Sequence, residues 1–239
     1  MKKICSFIFI ICSLLCWAED MSLSLKDNLS TSEAGDYIVI SHGKTTVLLH
    51  LNKLSKDSAV LEEIVIPSKK IKSDIDWQDW LDSRSPGNTS WILYEVNLKS
   101  GKVELCYSVT ERCWLQVSRV DLFLSTLISL NYEKVPLNKR LRIGLPPDGD
   151  RPDYRKIWHP GLTFEGKTGE GVLFDAWSAR WPRDGGELAG KEIIIYLPAS
   201  IGKYLNYFPY WIQVKGLAAK FNFKVVDSGK NINSPYTMN

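Results

Sequence analysis

From Tyr37 onward the chain is built of short runs of β-branched and aromatic residues, each cut off by a turn within about ten residues. That texture admits few folds. Residues 37–41 read as a strand, His42 and Gly43 as a turn, and residues 45–51 as the returning strand of a hairpin. Residues 59–66 form a third run, stopped by Pro67. Residues 91–98 and 102–109 flank a turn at Lys99, Ser100 and Gly101, and residues 114–117 extend the same sheet. Five further runs follow, over 162–165, 171–181, 192–197, 209–215 and 221–227. Ile193, Ile194, Ile195 and Tyr196 are continuously apolar, which predicts a central strand covered on both faces. Phe221, Phe223 and Val225 alternate with Asn222 and Lys224, which suits a half-buried strand.

Two segments break the period of two. Ser73 to Asp76 has capping-box spacing, and Trp77, Trp80 and Leu81 then fall at i, i+3 and i+4. Ser118 to Asp121 repeats that spacing. Val120, Phe123, Leu124, Leu127 and Ile128 follow on one helical face over residues 120–130. Residues 139–156 are charged and loop-like; a connection this long inside a compact domain is functional or mobile. About ten strands in hairpin succession with two inserted helices predict a mainly β (α+β) fold. The expected architecture is one strongly curved antiparallel sheet or half-barrel, with an apolar helix against its concave face. A closed barrel of eight or more strands is the alternative.

The N-terminus carries an address. Lys2 and Lys3 precede an uncharged stretch, Ile4 to Trp17, that ends at Ala18 before Glu19 and Asp20. A positive start, a short apolar core and a small-residue cleavage site predict a signal peptide over residues 1–18. About 14 apolar residues fall short of the roughly 20 that span a bilayer. Residues 19–36 then read as a polar arm or short helix, and 37–239 as a single β-rich domain. The expected location is the periplasm or the exterior, with outer-membrane association as a variant. No later stretch is long enough for a transmembrane span.

With Lys2 and Lys3 removed, 28 of the 30 Lys and Arg face 27 Asp and Glu. Such a balance offers no electrostatic footprint for nucleic acid. Three of the five cysteines leave with the signal, so Cys106 and Cys113 remain. A turn centred on Val109 and Thr110 would set them opposite one another as a cross-strand disulfide, stabilising by roughly 2 kcal/mol. Two free, buried thiols are the other reading. The spacing matches no metal site, and none is expected.

No nucleophile elbow, phosphate-binding loop or zinc-protease helix is present, so no cofactor and no catalytic residue is predicted. His42, His50 and His159 are far apart in sequence and read as structural or solvated. Asp148, Asp150 and Asp153 lie in a Gly/Pro loop without the distal Glu of a calcium hand. Asp74, Asp76, Asp79 and Asp82 suit the solvated side of a helix. The unusual signal is aromatic: nine Trp, one of them in the signal, and a crowd at Tyr204, Tyr207, Phe208, Tyr210 and Trp211. Such side chains fill sheet cores, line apolar cavities or anchor interfaces.

The run Gly171-Val172-x-Phe174, then Ala179-x-Trp181-Pro182-x-Asp184-Gly185-x-Glu187-Leu188-x-Gly190-Lys191-x-Ile193, resembles uncharacterised exported proteins of chlamydia-like intracellular bacteria. Residues 209–213 and 225–229 add to it. The resemblance implies a Gram-negative envelope setting. The element order also looks like the half-barrel of periplasmic lipoprotein carriers.

These readings predict an exported, non-enzymatic binding protein. The leading expectation is a lipid or other amphipathic ligand held in the curved sheet. Phe123, Leu124, Leu127 and Ile128 would form a lid, and Trp77, Trp80 and Trp91 the mouth. The alternatives are an interaction module without a cavity, docking an envelope or host protein through an exposed aromatic patch near residues 204–211, and an envelope glycan hydrolase with facing carboxyls.

Overall fold

A computed structural model describes residues 22–72, 74–117, 123–149, 151–200, 202–215 and 223–238. The expected signal peptide, the capping residues Ser73 and Ser118 to Asp121, and Leu122 lie outside these.

Among the described residues twelve strands form one antiparallel sheet. In chain order the elements are β1 (Ser22–Ser24), α1 (Leu25–Ser30), β2 (Tyr37–His42), β3 (Thr45–Leu54), β4 (Ser58–Pro67), α2 (Trp77–Asp82), β5 (Ser90–Asn97), β6 (Val103–Ser108), β7 (Cys113–Trp114), α3 (Phe123–Ser129) and β8 (Asn131–Lys134). There follow β9 (Leu162–Phe164), β10 (Lys167–Gly169), β11 (Phe174–Arg180), β12 (Glu192–Pro198), β13 (Trp211–Val214) and β14 (Phe223–Gly229). The order across the sheet is β1-β8-β11-β12-β13-β14-β2-β3-β4-β5-β6-β7, and β9 and β10 make a separate hairpin.

The sheet is open, because β1 and β7 are its two ends. It is also strongly rolled. β8 and β6 stand nine strand intervals apart, which in a flat sheet would separate them by about 43 Å. Yet α3, only seven residues long and so roughly 10 Å, runs into β8 and also touches the β5–β6 hairpin through Ser125 and Ser129. Ser125 Oγ accepts from Val103 N at 3.2 Å. Gly101, at φ +72, lies so close to α3 that a Cβ would sit 2.9 Å from Ser129 Cα. Register shifts in β14, β3 and at the β5–β6 pairing add local bend. The expected half-barrel with a helix in its hollow is the observed form.

Alternation along the strands divides two cores. Ile38 and Ile40 of β2, Leu49 and Leu51 of β3, and Tyr94 and Val96 of β5 point inward to α1, α3 and β12. Tyr37, Val39, Leu48, Ile64 and Trp91 point outward to α2. In β12, Ile193 through Leu197 are all buried, as continuous apolarity requires. α2 is capped by Asp76, whose Oδ1 accepts from Asp79 N at 3.0 Å.

Residues 19–36, expected as a polar arm or short helix, contain the short helix α1, and it is docked: β1 pairs with β8, and Leu25 and Leu29 of α1, at i and i+4, are fully buried. One expectation needs correction. Cys106 and Cys113 are free, the first buried and the second exposed. The turn is longer than expected, so Cys113 lies opposite Ser108 while Cys106 accepts at its carbonyl from Leu115 N. Burial, with Glu63 adding to it, pushes the Cys106 thiol up to about 11, which leaves it an inert apolar group.

Candidate functional site

The residues expected to share one ligand site fall on two faces. On the inner face Leu124, Leu127 and Ile128 are buried in the main core. Phe123, half-buried, is stacked between Trp181 (5.4 Å) and Phe223 (5.2 Å). Tyr132 donates to Leu127 O at 2.8 Å and fastens α3 to β8. These side chains plug the rolled sheet. Trp77, Trp80 and Trp91 lie on the outer face and form no mouth to that plug. Trp77 and Trp80 meet edge to face at 5.7 Å. Residues 204–211 are not an exposed patch either: Leu205, Tyr207, Phe208 and Tyr210 are buried. Tyr207 donates to Asp36 O and Leu49 O, because a buried phenol must find an acceptor.

The outer face carries a sealed polar knot. His50 and Glu62, 1% and 0% exposed, bond through Nδ1 and Oε2 at 2.7 Å. The second ring nitrogen of His50 reaches Ile232 O at 3.1 Å, so it must carry hydrogen. Glu62 Oε1 accepts from Trp91 Nε1 and from Ser234 Oγ, each at 2.6 Å. One proton therefore lies on the His50–Glu62 line, whichever of the two holds it. Beside the knot an open groove runs along α2. There Asp227 accepts from Trp77 Nε1, Gly166 N and Ser228 N, so both its oxygens are engaged in holding β14, α2 and the β9–β10 turn together. Burial, together with Asp227, Glu165 and Asp76, pushes the Tyr37 phenol far up. Among the described residues no group of three or more His, Cys, Asp or Glu is placed to hold a metal ion, and no helix is long and apolar enough to cross a membrane.

The long connection expected over 139–156 is neither featureless nor slack. Ile143 N donates to Lys156 O at 2.9 Å and Trp158 N to Leu141 O at 2.8 Å, which makes it a hairpin arm. Arg142 donates to the Asp153 and Arg155 carbonyls at 3.1 and 2.6 Å. Arg155 grips Asp153 with two bonds, at 2.9 and 2.8 Å, and donates to Gly144 O at 2.6 Å. That bidentate pair holds the Asp153 carboxyl down at about 2. At the root, Arg140 binds Val135 O, Phe174 O and Asp175. Burial alone would raise the Asp175 carboxyl; its bonds from Arg140 and Lys134 overcome this and lower it. Trp158 packs edge-on against Tyr196 (5.4 Å) and Trp211 (5.3 Å).

With its polar groups turned to its own backbone, the arm presents apolar residues to solvent. Leu145 is 90% and Tyr154 88% exposed, and Leu137, Leu141 and Ile143 accompany them. Apolar side chains on a charged loop give no sequence period, so this surface was missed. The one signal was the loop's length.

The sequence profile of the family described as CT021 protein matches residues 47–170, just over half the chain and inclusive of His50, Glu62 and Trp91 of the knot, α3 and the arm. The chain belongs to the CT021 protein family. Among solved structures it is similar to the hypothetical protein CT021 of Chlamydia trachomatis, with a TM-score of 0.64 and 19% identity over 91% of this chain and 98% of that one. At that identity the likeness establishes the fold. The family match and this likeness together bear out the resemblance to uncharacterised chlamydial proteins. No curated protein matches the sequence.

Proposed function

We propose that this CT021-family chain is exported and works as a non-enzymatic interaction module, docking a protein of the envelope or of a host through the arm over residues 137–158. The observation that carries the reading is an arm whose described residues are tied to one another by hydrogen bonds, with its apolar side chains outward. Surfaces of this kind mark docking sites, and a loop already held in one conformation loses little entropy on binding. The paired arginines would lie around the apolar centre, where arginine and tyrosine are the usual anchors. Export rests on the N-terminal pattern of residues 1–18. The lipid-holding reading has weaker support, since α3 fills the hollow it would need.

The test is site-specific photo-crosslinking in cells that make the protein. A crosslinker at position 145 or 154 should yield one discrete adduct, lost on Ile143→Asp, and a crosslinker at the exposed Glu104 should yield none. Equal adducts from all three positions, or no adduct from the arm, would refute the reading.

A further inference from the structure

The outer face carries one long furrow. At one end a hollow of about 600 Å3 lies between β2 and the approach to α2, against Val39, Thr46, Ile71 and Val226. It continues into a second of about 350 Å3 beside Tyr37, Gln78 and Lys230, and the two share Ile75, Trp77, Gly166 and Asp227. At the other end a hollow of about 360 Å3 lies over β3 to β6, against Lys53, Val60, Glu95, Leu105 and Trp114. The chain's own residues 231–238, which form neither helix nor strand, lie between. Asn231 and Ile232 line the first end and Met238 the other.

This segment is held as a bound peptide is held. Gln78 takes Asn233 at both its backbone groups, accepting from N at 2.7 Å and donating to O at 3.1 Å. Asn52 donates to Tyr236 O at 2.8 Å, and His50 to Ile232 O. Ile232 enters the apolar cluster, the Ser234 hydroxyl donates to Glu62, and the Tyr236 ring meets Trp91 edge-on at 4.9 Å. Asn233 and Pro235 face solvent, so the segment is read every second residue, the period of an extended chain. Ile232 N also donates to Gly35 O. Cleft side chains hold the backbone at Ile232, Asn233 and Tyr236, and residues 231–238 belong to no strand, so the segment can leave without breaking a strand pairing.

We propose that the furrow is a recognition cleft for an extended peptide of a partner protein, with the pattern aliphatic–x–hydroxyl–x–aromatic, and that residues 231–238 are its resident occupant. Glu62 selects the hydroxyl, Trp91 the aromatic ring, and the α2 cluster the aliphatic residue. Asn52 and Gln78 read backbone and tolerate any sequence between. The open hollows at both ends leave room for a longer peptide than the resident one. Being tethered, the resident segment competes at an effective concentration on the order of millimolar, so incoming peptides bind weakly until it is loosened. The cleft and the arm are separate surfaces, and each proposal stands or falls without the other.

The test is fluorescence anisotropy of a labelled peptide copying residues 231–238, titrated with the chain over 19–239. In the Ser234→Ala/Tyr236→Ala chain, which keeps every cleft residue, the peptide should bind at least tenfold more tightly than in wild type. The gain should vanish when Asn52→Ala and Gln78→Ala are added, or when the peptide's serine is replaced by alanine. No binding to the folded double variant overturns the proposal. If that variant does not fold, amide hydrogen exchange of the wild type decides. Release of residues 233–238 well ahead of β3 and β4 supports the cleft, and release only together with them overturns it.

Discussion

Replacing Glu62 tests the account of the outer face most sharply. Glu62→Ala removes three hydrogen bonds at once and leaves His50 and the Trp91 indole N–H without their acceptor at a site closed to water. Each buried donor left without a partner costs about 1–3 kcal/mol, so stranding His50 and Trp91 costs about 2–6 kcal/mol. For a domain of this size each kcal/mol lowers Tm by about 2–4 °C, so the expected fall is roughly 4–24 °C. Glu62→Gln should behave differently. Its amide oxygen can accept from Trp91 and Ser234 as Oε1 does, and its N–H can donate to Nδ1 of a neutral ring still bonded to Ile232 O. All three bonds survive, and the expected cost is within about 1.5 kcal/mol. Urea unfolding followed by circular dichroism and tryptophan emission measures both, with an unchanged m value as the control. Equal losses for the two variants would refute the shared-proton arrangement. A loss under about 1 kcal/mol for Glu62→Ala would refute the burial argument altogether.

Other outcomes follow from the same structure. In the chain over 19–239 a thiol reagent should label one cysteine natively and two in denaturant, since Cys113 is exposed and Cys106 buried; no labelling in either state would mean a disulfide. Leu127→Ala should cost about 2–5 kcal/mol as an unfilled cavity behind α3, read by thermal melting. Leu145→Asp should leave Tm unchanged, its effect being confined to within about 0.5 kcal/mol, while abolishing arm crosslinks. The arm clamp has a stated acid limit. The Asp153 carboxyl is held below its ordinary value, so its contribution is present in full above that value and is lost as pH falls through about 2. Limited proteolysis with pepsin should therefore spare the arm near pH 4 and cut it near pH 1.5; cutting in the arm already at pH 4 would refute the clamp.

Much of the sheet was legible because each strand announces itself locally. The hairpin of β2 and β3 follows from alternation around His42 and Gly43, and the central place of β12 from four consecutive apolar residues. The α3 plug was legible as a face, Leu124, Leu127 and Ile128, because helical period is also a local property. The grouping of site residues was not. Trp77 and Trp91 look like partners of Leu127 in an aromatic-rich sequence, but the packing of α2 on the outer face places Trp77, and strand parity places Trp91, where a shift of one residue would reverse its face. Cys113 missed Cys106 for the same kind of reason: the turn is longer than its residues advertise, and the pairing slid to Ser108.

By itself, then, the sequence determined the periods, the turns and the charge balance, all of which are carried by neighbours along the chain or by composition. Only the tertiary structure decided the rest. Rolling the sheet brings β6 and β8 to one short helix. Folding residues 231–238 back over β3, β4 and β5 joins His50, Glu62, Trp91 and Ser234, whose ends stand more than 180 positions apart along the chain. Contacts over such a separation depend on the path of the backbone and on burial from water, and no local pattern encodes either.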